Sequence, residues 1–356
     1  MTNREQKQAV LTLDAGGTTF SFHAVNGQND LCRPLVLPVD GHNLQSCIDT
    51  MIQGFEHLKE NVEEDIIAIS FAFPGPADYE NGVIGDLGNL PGFRGGVPLK
   101  QILTGHFGLP VFINNDGNLF ALGEATSGFL PQINHSLKET GQKRNYRNLL
   151  AVTIGTGFGG GIVIDGQMLV GDCSAGGEIW LMRHKLNSEW NAEEGVSIRS
   201  VKRHFARLTG QKQESVPEPK EIADIADNPE SPDHLAARES YRLLGEVLGD
   251  ALANALTLID GAVVIGGGLA GASRHFLPSL MNELNGRINH FPRLESKAYN
   301  MENSVEATEF MRPAETMLNG QIPYILHKKI PVGISRLGTS KAVAVGAYNF
   351  AVSKLF

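Results

Sequence analysis

Two segments of the chain repeat one pattern, in which an apolar strand, a Gly/Thr turn and a second strand are closed by a turn that contains glycine. LTLDAGGTTFSFHAVNGQ can be laid over AVTIGTGFGGGIVIDGQ at a constant offset, which places Gly16 on Gly155 and Gly27 on Gly166. Each copy predicts a β-hairpin, because Asn-Gly and Asp-Gly turns between such strands are strong hairpin signals. A similar hairpin at the head of each half of the chain indicates a duplicated α/β domain.

Composition narrows the class of protein. The 356 residues suit two domains, and the hydrophobic fraction of 42% is enough for buried cores. The net charge of −9 argues against a protein that grips nucleic-acid phosphates. The cysteines, Cys32, Cys47 and Cys173, form no CxxC pair, and the N-terminus carries no apolar signal core. We therefore expect a soluble cytoplasmic protein with no membrane or nucleic-acid partner.

Periodicity and turn signals predict alternating strands and helices. Strands are expected over 10–14, 18–25, 66–72, 110–113, 149–154, 162–164 and 262–265. Helices are expected over 44–59, 98–107, 117–127, 196–209, 236–258, 272–285 and 340–355. The polar, aperiodic residues 131–148 predict an inserted loop. The fold class is therefore α/β, with a mixed, partly antiparallel sheet in each domain.

The first glycine turn contains groups that suit a phosphate. Gly16 and Gly17 would let backbone N–H groups approach phosphate oxygens, and Thr18 and Thr19 would add hydroxyl donors. The carboxylate of Asp14 beside them could hold Mg²⁺, directly or through water. The alternative is an ordinary hairpin turn in which these side chains satisfy the local backbone.

Two further glycine segments could bind a nucleotide. The segment that begins Gly155-Thr156-Gly157 matches GxGxxG, but a strand follows it where a dinucleotide-binding fold needs a helix. A strand precedes Gly266-Gly267-Gly268 and a helix follows, yet no strand ending in an acidic residue lies about 20 positions later. A glycine platform for adenine or ribose fits this segment equally well, and so does close helix–sheet packing.

Several side chains could act on a substrate hydroxyl. Asp116, at the end of a predicted strand, could accept its proton while the amide of Asn115 holds it in line, although both residues also suit a helix N-cap. Glu178 and Glu193 could accept hydrogen bonds from sugar hydroxyls, or could be solvated surface carboxylates. The chain has no GxxxxGK[ST], HExxH or GxSxG motif.

Taken together and in this order, the motifs resemble those of the ROK family of sugar kinases, whose fold is actin-like. LDAGGTT is similar to the first phosphate motif, TIGTGFGGGIVIDG to the second, and VVIGGGLA to the nucleoside-binding segment. FPGPAD and NLPGF resemble the sugar-loop region, which implies roles for Gly75 and Asn89. NNDGNLFALGE implies that Asp116 is the catalytic base and that Asn115 binds sugar, while GGEI and EEGVS imply sugar contacts by Glu178 and Glu193.

The resemblance implies transfer of the ATP γ-phosphoryl group to a hexose hydroxyl, at C6, with ATP and Mg²⁺ as cofactors. It implies two actin-like domains, residues 1–122 with 338–356 and residues 123–337, around a central cleft, and a homodimer. Only 13 residues precede Asp14, too few for the DNA-binding module of ROK repressors.

The chain departs from the family pattern at two places. Trp180 and Leu181 stand where the family has glycine and a sugar-binding histidine, and the CxCGxxGC zinc motif is absent. We therefore expect no zinc site, and His184 is one candidate to replace the histidine, the other interpretation being a solvated surface residue. These departures also motivate an alternative function, a ROK-like sensor that binds sugar without phosphorylating it. The identity of the sugar stays open at this point.

Overall fold

The computed structural model describes residues 8–16, 18–313, 315–318, 322–325 and 327–356. Across these described residues, none of the helices combines the length and the apolar character needed to cross a bilayer. Two of the three cysteines, Cys32 and Cys47, are half-buried and buried respectively, whereas Cys173 is exposed, and all three are free thiols.

The strands and helices follow one another along the whole chain. The strands are β1 (Gln8–Ala15), β2 (Thr19–Asn26), β3 (Asn29–Asp30), β4 (Leu35–Pro38), β5 (Asp65–Ala72), β6 (Ala77–Asp78), β7 (Val83–Ile84), β8 (Val111–Asn114), β9 (Leu149–Ile154), β10 (Phe158–Ile164), β11 (Gln167–Met168), β12 (Ala262–Gly266), β13 (Arg287–Ile288), β14 (Phe291–Pro292), β15 (Lys297–Asn300), β16 (Glu315–Leu318), β17 (Ile322–Ile325) and β18 (Lys329–Ile334). The helices are α1 (Leu44–Asn61), α2 (Leu99–Phe107), α3 (Asp116–Thr126), α4 (Phe129–Glu139), α5 (Ile198–Thr209), α6 (Pro219–Asp227), α7 (His234–Ile259), α8 (Ser273–Leu284), α9 (Ser304–Phe310) and α10 (Thr339–Leu355).

The chain divides into two compact units. Unit 1 contains residues 1–127, 167–176 and 339–356, and unit 2 contains residues 128–166 and 177–338. Residues 167–176 group with unit 1 although they lie between two segments of unit 2 in the sequence.

Unit 1 is a sheet covered by helices on both faces. Its strand order is β3-β2-β1-β5-β8, with β4 also paired to β2. Alternate residues of β1 face opposite cores: Leu11 and Leu13 pack with the α1 and α2 side chains, and Val10 packs with α10. Helices α3 and α10 cross closely, since a Cβ on Gly123 would stand 1.9 Å from the Ala342 carbonyl oxygen. The C-terminal helix is therefore part of this unit.

Unit 2 repeats the arrangement with a larger helical layer. Its sheet contains the order β10-β9-β12-β18-β15, in which β9, β12 and β18 are parallel and β10 is antiparallel to β9. Unit 1 has the same pattern, because β1, β5 and β8 are parallel and β2 is antiparallel to β1. The prediction of an α/β fold with a mixed sheet in each half is confirmed, and the shared topology supports the internal repeat.

The two hairpins of the repeat differ at their tips. In unit 1 Ala15 pairs with Phe20, whereas in unit 2 Ile154 pairs with Phe158. The second tip is therefore one residue shorter, and the constant offset holds for the first strand but not for the start of the second. The prediction that residues 158–161 belong to a glycine turn was wrong, because these residues are paired within β10.

The prediction of a loop over 131–148 was also wrong in its first part. Helix α4 covers Phe129–Glu139, and its buried side chains Phe129, Leu130, Ile133 and Leu137 recur at helical spacing. The polar residues between them, and Pro131 in the first turn, concealed this stripe in the sequence. The remaining helices predicted from the sequence are confirmed, with ends that differ by no more than a few residues.

Candidate active site

The sequence-predicted residues of unit 1 lie at one edge of its sheet. Strands β1, β5 and β8 are parallel, so their carboxyl ends meet at the same edge, where ligands commonly bind in such sheets. Asp14 is near the end of β1, and Asn115 and Asp116 directly follow β8. The Phe73 amide, just beyond β5, donates to the Asn114 carbonyl at 2.9 Å, which ties these two strand ends together.

The first glycine turn presents exposed polar groups at this edge. Asp14, Thr18 and Thr19 are all exposed. The Gly16 amide donates to the Thr19 carbonyl at 3.0 Å, and a Cβ on Gly16 would stand only 2.9 Å from that oxygen. The tight closure therefore requires glycine at this position. Gly17 lies outside the described residues.

Two loops carry the expected sugar contacts of unit 1. Gly75 precedes a cis peptide to Pro76, and a Cβ on Gly75 would stand 3.2 Å from the Tyr79 hydroxyl. Asn89 is exposed in a loop that is held by the buried residues on either side. The rings of Phe73 and Phe93 lie 5.1 Å apart, so this loop packs beside the chain that leads to Gly75.

Helix α3 begins at the proposed catalytic pair. The Asn115 side-chain oxygen accepts from the Gly117 amide at 2.8 Å and from the Asn118 amide at 3.3 Å, which is an N-cap. Asp116 is exposed in the first turn, and its Oδ1 accepts from the Gly117 amide at 2.9 Å. Both interpretations of Asn115 are compatible, because capping occupies the oxygen and a sugar could use the NH₂ group. The helix N-terminus favours negative charge on Asp116.

In unit 2 the second and third glycine segments lie side by side. A Cβ on Gly155 would stand 3.8 Å from the Gly268 amide nitrogen. Gly267 has φ +91°, and a Cβ there would stand 2.2 Å from the Ile154 carbonyl oxygen, so this position demands glycine. Gly266 ends β12, and a 3₁₀ turn over Gly268–Ala272 leads into α8. The two segments therefore bring backbone atoms of Gly155 and Gly268 close together, with Gly268 exposed and Gly266 buried at the end of β12.

A cavity of about 310 Å³ opens beside the second glycine turn. It is lined by Thr156, Ile198, Arg199, Lys202, Gln213 and Glu214. Thr156 is exposed, and Lys202 and Arg199 are each paired with glutamates, Lys202 with Glu218 at 2.6 Å. The cavity thus combines a hydroxyl and two cations next to the glycine tip.

Glu193 is half-buried and bound on both sides. Its Oε2 accepts from the Phe158 amide at 3.0 Å, and its Oε1 lies 3.3 Å from an Arg199 nitrogen. A Cβ on Gly157 would stand 2.7 Å from Oε2, so glycine at the tip is needed for this approach. The interpretation of Glu193 as a solvated surface carboxylate was wrong, because the side chain is held against the glycine hairpin.

Glu178 is also half-buried, and its partner comes from its own segment. The Trp180 indole N–H donates to Glu178 Oε2. Trp180 packs against the core of unit 2, whereas Leu181, where the family has its histidine, is 60% exposed. A solvated Glu178 was therefore the wrong alternative, and an indole donor is present at the position before the missing histidine.

His184 is a structural residue. It is 3% exposed, and its Nδ1 accepts from the Leu186 and Asn187 amides at 3.0 and 3.1 Å. Burial and the neighbouring Arg203 lower the pKa of His184, which keeps the ring neutral. The Trp190 ring packs edge-on against it with the ring centroids 5.7 Å apart, and the Arg203 guanidinium lies 4.4 Å from the centroid of the Trp190 ring. The surface interpretation of His184 was therefore wrong, and its Nε2 atom is buried with no hydrogen-bond partner among the described residues.

Sequence reasoning missed the partners that hold the two glutamates. Arg199, Trp180 and the Phe158 amide all contact a predicted site residue. No short sequence pattern indicates these contacts, although Trp180 lies only two residues from Glu178 and Arg199 only six from Glu193. Within the described part of the chain, no three or more His, Cys, Asp or Glu side chains are grouped so as to hold a metal ion.

Comparison with known proteins identifies the family. A glucokinase from Parabacteroides distasonis of known crystal structure is 45% identical, with a TM-score of 0.90 and 99% coverage of both chains. A glucokinase of Thermotoga maritima is 29% identical over 75% of this chain and 84% of its own length. An N-acetyl-D-glucosamine kinase of Vibrio atlanticus is 27% identical over 72% of this chain and 83% of its own length.

The structural similarity confirms the actin-like fold expected from the motifs. The sequence model of the ROK family matches residues 10–304, which is most of the chain. The chain belongs to the ROK family.

Proposed function

We propose that this protein is a sugar kinase that transfers the γ-phosphoryl group of ATP to the C6 hydroxyl of a hexose. One observation carries the proposal: the exposed carboxylate of Asp116 stands at the same sheet edge as Asp14 and the first glycine turn. Phosphoryl transfer relies mainly on positioning and on charge stabilisation, so a base beside a phosphate-binding turn is the arrangement it needs.

Asp116 is the general base in this proposal. An exposed carboxylate can accept the proton of the attacking hydroxyl as the new O–P bond forms. The bond between the γ-phosphorus and the bridging oxygen breaks at the same time, and ADP is the leaving group. The NH₂ group of Asn115 orients that hydroxyl, and the N-cap bonds of its oxygen fix the side chain in place.

The glycine segments hold the nucleotide. The hydroxyl groups of Thr18, Thr19 and Thr156 bind the phosphates together with backbone amides of the two turns. The amides of Gly16 and Gly155 are not among these donors, because they bond to the Thr19 and Gly157 carbonyls and close the turns. The surface at Gly266–Gly268 accommodates the nucleoside, since no side chain projects from it. Asp14 suits Mg²⁺, because this ion is commonly held by one or two carboxylates, waters and substrate phosphates. When bound, the ion supplies charge neutralisation at the phosphates.

The sugar is bound by residues that offer donors and acceptors at several hydroxyls. The motif resemblance assigns Gly75, Asn89 and Asn115 to sugar binding, and it assigns Glu178 and Glu193 as charged acceptors. Glucose is the first substrate to test, because the relatives named glucokinase include the one with 45% identity over nearly the whole chain. N-acetylglucosamine is the second, since another relative is named for it.

A coupled ADP-release assay with MgATP and a panel of hexoses and N-acetylhexosamines tests this function. We expect release that depends on the sugar, and ³¹P–¹H correlation of the product should show phosphate on O6. Sugar binding without any turnover would instead support the sensor, and phosphate on another oxygen would overturn the C6 assignment. Of the two tryptophans in the chain, Trp180 bonds to the proposed sugar ligand Glu178, so tryptophan fluorescence reports binding independently of catalysis.

A further inference from the structure

The second glycine hairpin already binds a carboxylate of the protein itself, that of Glu193. Glu193 Oε2 accepts from the Phe158 amide at 3.0 Å, at the position where the tip turns into β10. Backbone amides at a glycine-rich tip are donors that bind phosphate oxygens in many proteins. A carboxylate oxygen on such a donor offers the same negatively charged acceptor that a phosphate would offer.

The tip and the segment of Glu193 are fastened at two points. Besides the Phe158 bond, the Ile198 amide at the start of α5 donates to the Gly155 carbonyl at 2.8 Å. Gly157 has no room for a Cβ because Glu193 Oε2 would be 2.7 Å from it. The carboxylate therefore lies directly on the tip, and its side chain remains 26% exposed, so solvent or a ligand can reach it.

The second oxygen of Glu193 reaches the cation of the neighbouring cavity. Oε1 lies 3.3 Å from an Arg199 nitrogen, and Arg199 lines the cavity together with Thr156. Arg199 is held more closely by Glu194, at 2.6 Å. Glu193 thus contacts two groups, the Phe158 amide and the Arg199 guanidinium. The guanidinium is shared with Glu194, whereas among the described contacts no other carboxylate accepts from the amide.

We infer that Glu193 is a positioning residue that occupies the phosphate hairpin while sugar is absent and frees it when sugar binds. This inference rests on the proposed function, because it assigns to one sugar-binding glutamate a second role toward the nucleotide. Sugar hydroxyls compete for the carboxylate, and phosphate oxygens compete for the Phe158 amide. Sugar and nucleotide then assist one another, since a ligand that removes a competitor raises the affinity of the other.

The inference predicts the direction in which a substitution of Glu193 changes the nucleotide affinity. Glu193→Gln replaces a charge-assisted hydrogen bond by a weaker neutral one at the amide. The nucleotide then meets less competition, so the sugar-free variant should bind it more tightly than the wild type does. A gain in affinity cannot arise from misfolding, and a residue that only contacts sugar would leave the nucleotide affinity of the sugar-free protein unchanged.

Calorimetric titration with the magnesium complex of AMPPNP tests this on the full chain. For Glu193→Gln without sugar we expect about tenfold tighter binding, within the usual range of coupling between two sites. In the wild type, saturating sugar should raise the affinity by a similar factor, and this increase should shrink toward one in the variant. The wild-type comparison remains informative if the variant folds poorly.

Two control variants separate the inference from simpler effects. Glu194→Gln removes the same charge one residue away without touching the tip amide, and an increase equal to that of Glu193→Gln would reduce the effect to general electrostatics and overturn the inference. Glu178→Gln removes the other proposed sugar acceptor, whose carboxylate is bound by Trp180, and should leave sugar-free nucleotide affinity unchanged.

The possible failures are distinguishable. Unchanged or weaker nucleotide binding in Glu193→Gln, or no effect of sugar on the wild type, overturns the inference while the kinase proposal stands. Failure of the wild type to bind AMPPNP at all overturns the proposed function itself.

Discussion

The two units share a topology, but the carboxylates of their predicted site residues differ in exposure. In unit 1 Asp14 and Asp116 are exposed at the ends of parallel strands. In unit 2 Glu178 and Glu193 are half-buried, the first bound by an indole N–H and the second by a backbone amide and a guanidinium. A hydroxyl or a metal ion can reach the exposed carboxylates, although Asp116 Oδ1 accepts from the Gly117 amide, whereas the half-buried carboxylates are pre-oriented acceptors. In the proposed function the general base Asp116 therefore comes from unit 1, whereas the charged sugar acceptors Glu178 and Glu193 come from unit 2.

The hairpin tips differ in the same sense. The first tip closes on its own backbone, with the Gly16 amide bonded to Thr19. The second is shorter and is fastened from outside by Glu193 and Ile198. The two copies of the repeat therefore share the arrangement of their strands, while the groups that surround each tip differ.

The largest expected effect is on turnover and comes from unit 1. Asp116→Asn should lower kcat by about 10²–10⁴-fold, the usual contribution of a general base, because the amide cannot accept the proton. Sugar affinity measured by tryptophan fluorescence should change little, since the helix and the Asn115 cap remain. Loss of sugar binding in parallel with turnover would contradict a purely chemical role for Asp116.

The next largest effect is on stability, and it differs among three glycines according to their backbone geometry. Gly267→Ala should destabilise unit 2 by about 3 kcal/mol, because φ is +91° and the added carbon would meet the Ile154 carbonyl at 2.2 Å. Gly16→Ala should cost about 1 kcal/mol, and Gly155→Ala little, since its nearest neighbour would be 3.8 Å away. Thermal unfolding midpoints check this order, and equal shifts for all three variants would show that local geometry does not decide it.

Acid should weaken unit 2 through the buried His184 and the half-buried His204. Burial, with Arg207 and Arg203 nearby, lowers the pKa of His204 to about 4, and burial likewise lowers the pKa of His184. The unfolded chain binds protons near pH 6.5 that the folded chain does not, so stability falls as the pH decreases from about 6.5 to 4. We expect about 2 kcal/mol from His204 after allowance for solvent screening.

Denaturant unfolding at a series of pH values measures this dependence. His204→Asn should flatten the slope between pH 6.5 and 4, whereas the exposed His135, substituted in the same way, should leave it unchanged. An unaltered slope in His204→Asn would show that this ring is protonated freely in the folded protein.

The smallest predicted effect concerns Glu178. Trp180→Phe keeps an aromatic ring in the core but removes the indole donor, which leaves the carboxylate less well oriented. We expect the KM for sugar to rise about fivefold, equivalent to about 1 kcal/mol, with kcat nearly unchanged. Trp190→Phe is the matched control, because Trp190 contacts His184 and Arg203 and makes no hydrogen bond to Glu178 among the described contacts.

Much of the frame was predictable from the sequence because strands and helices carry local periodic signals. The strands around Asp14 and Asp116 and the long helix α7 follow such signals closely. Helix α4 was missed because polar residues and Pro131 interrupt its stripe. Motif resemblance indicated the family, which the comparisons confirm.

The contacts around the site were less predictable. The Phe158 amide that donates to Glu193 lies 35 positions away in the chain, and the Trp180 donor on Glu178 lies only two positions away, but no short pattern encodes either contact. The environment of His184 was missed for the same reason, since its burial depends on Trp190, Gly195 and the turn at Leu186–Asn187.

The most direct test of the account measures ADP release from MgATP with and without glucose, for the wild type and Asp116→Asn prepared in parallel. We predict release that requires the sugar in the wild type and falls at least 100-fold in the variant. Release independent of every sugar tested, or near-normal sugar-dependent release by the variant, would contradict the assignment of a sugar kinase whose chemistry lies in unit 1.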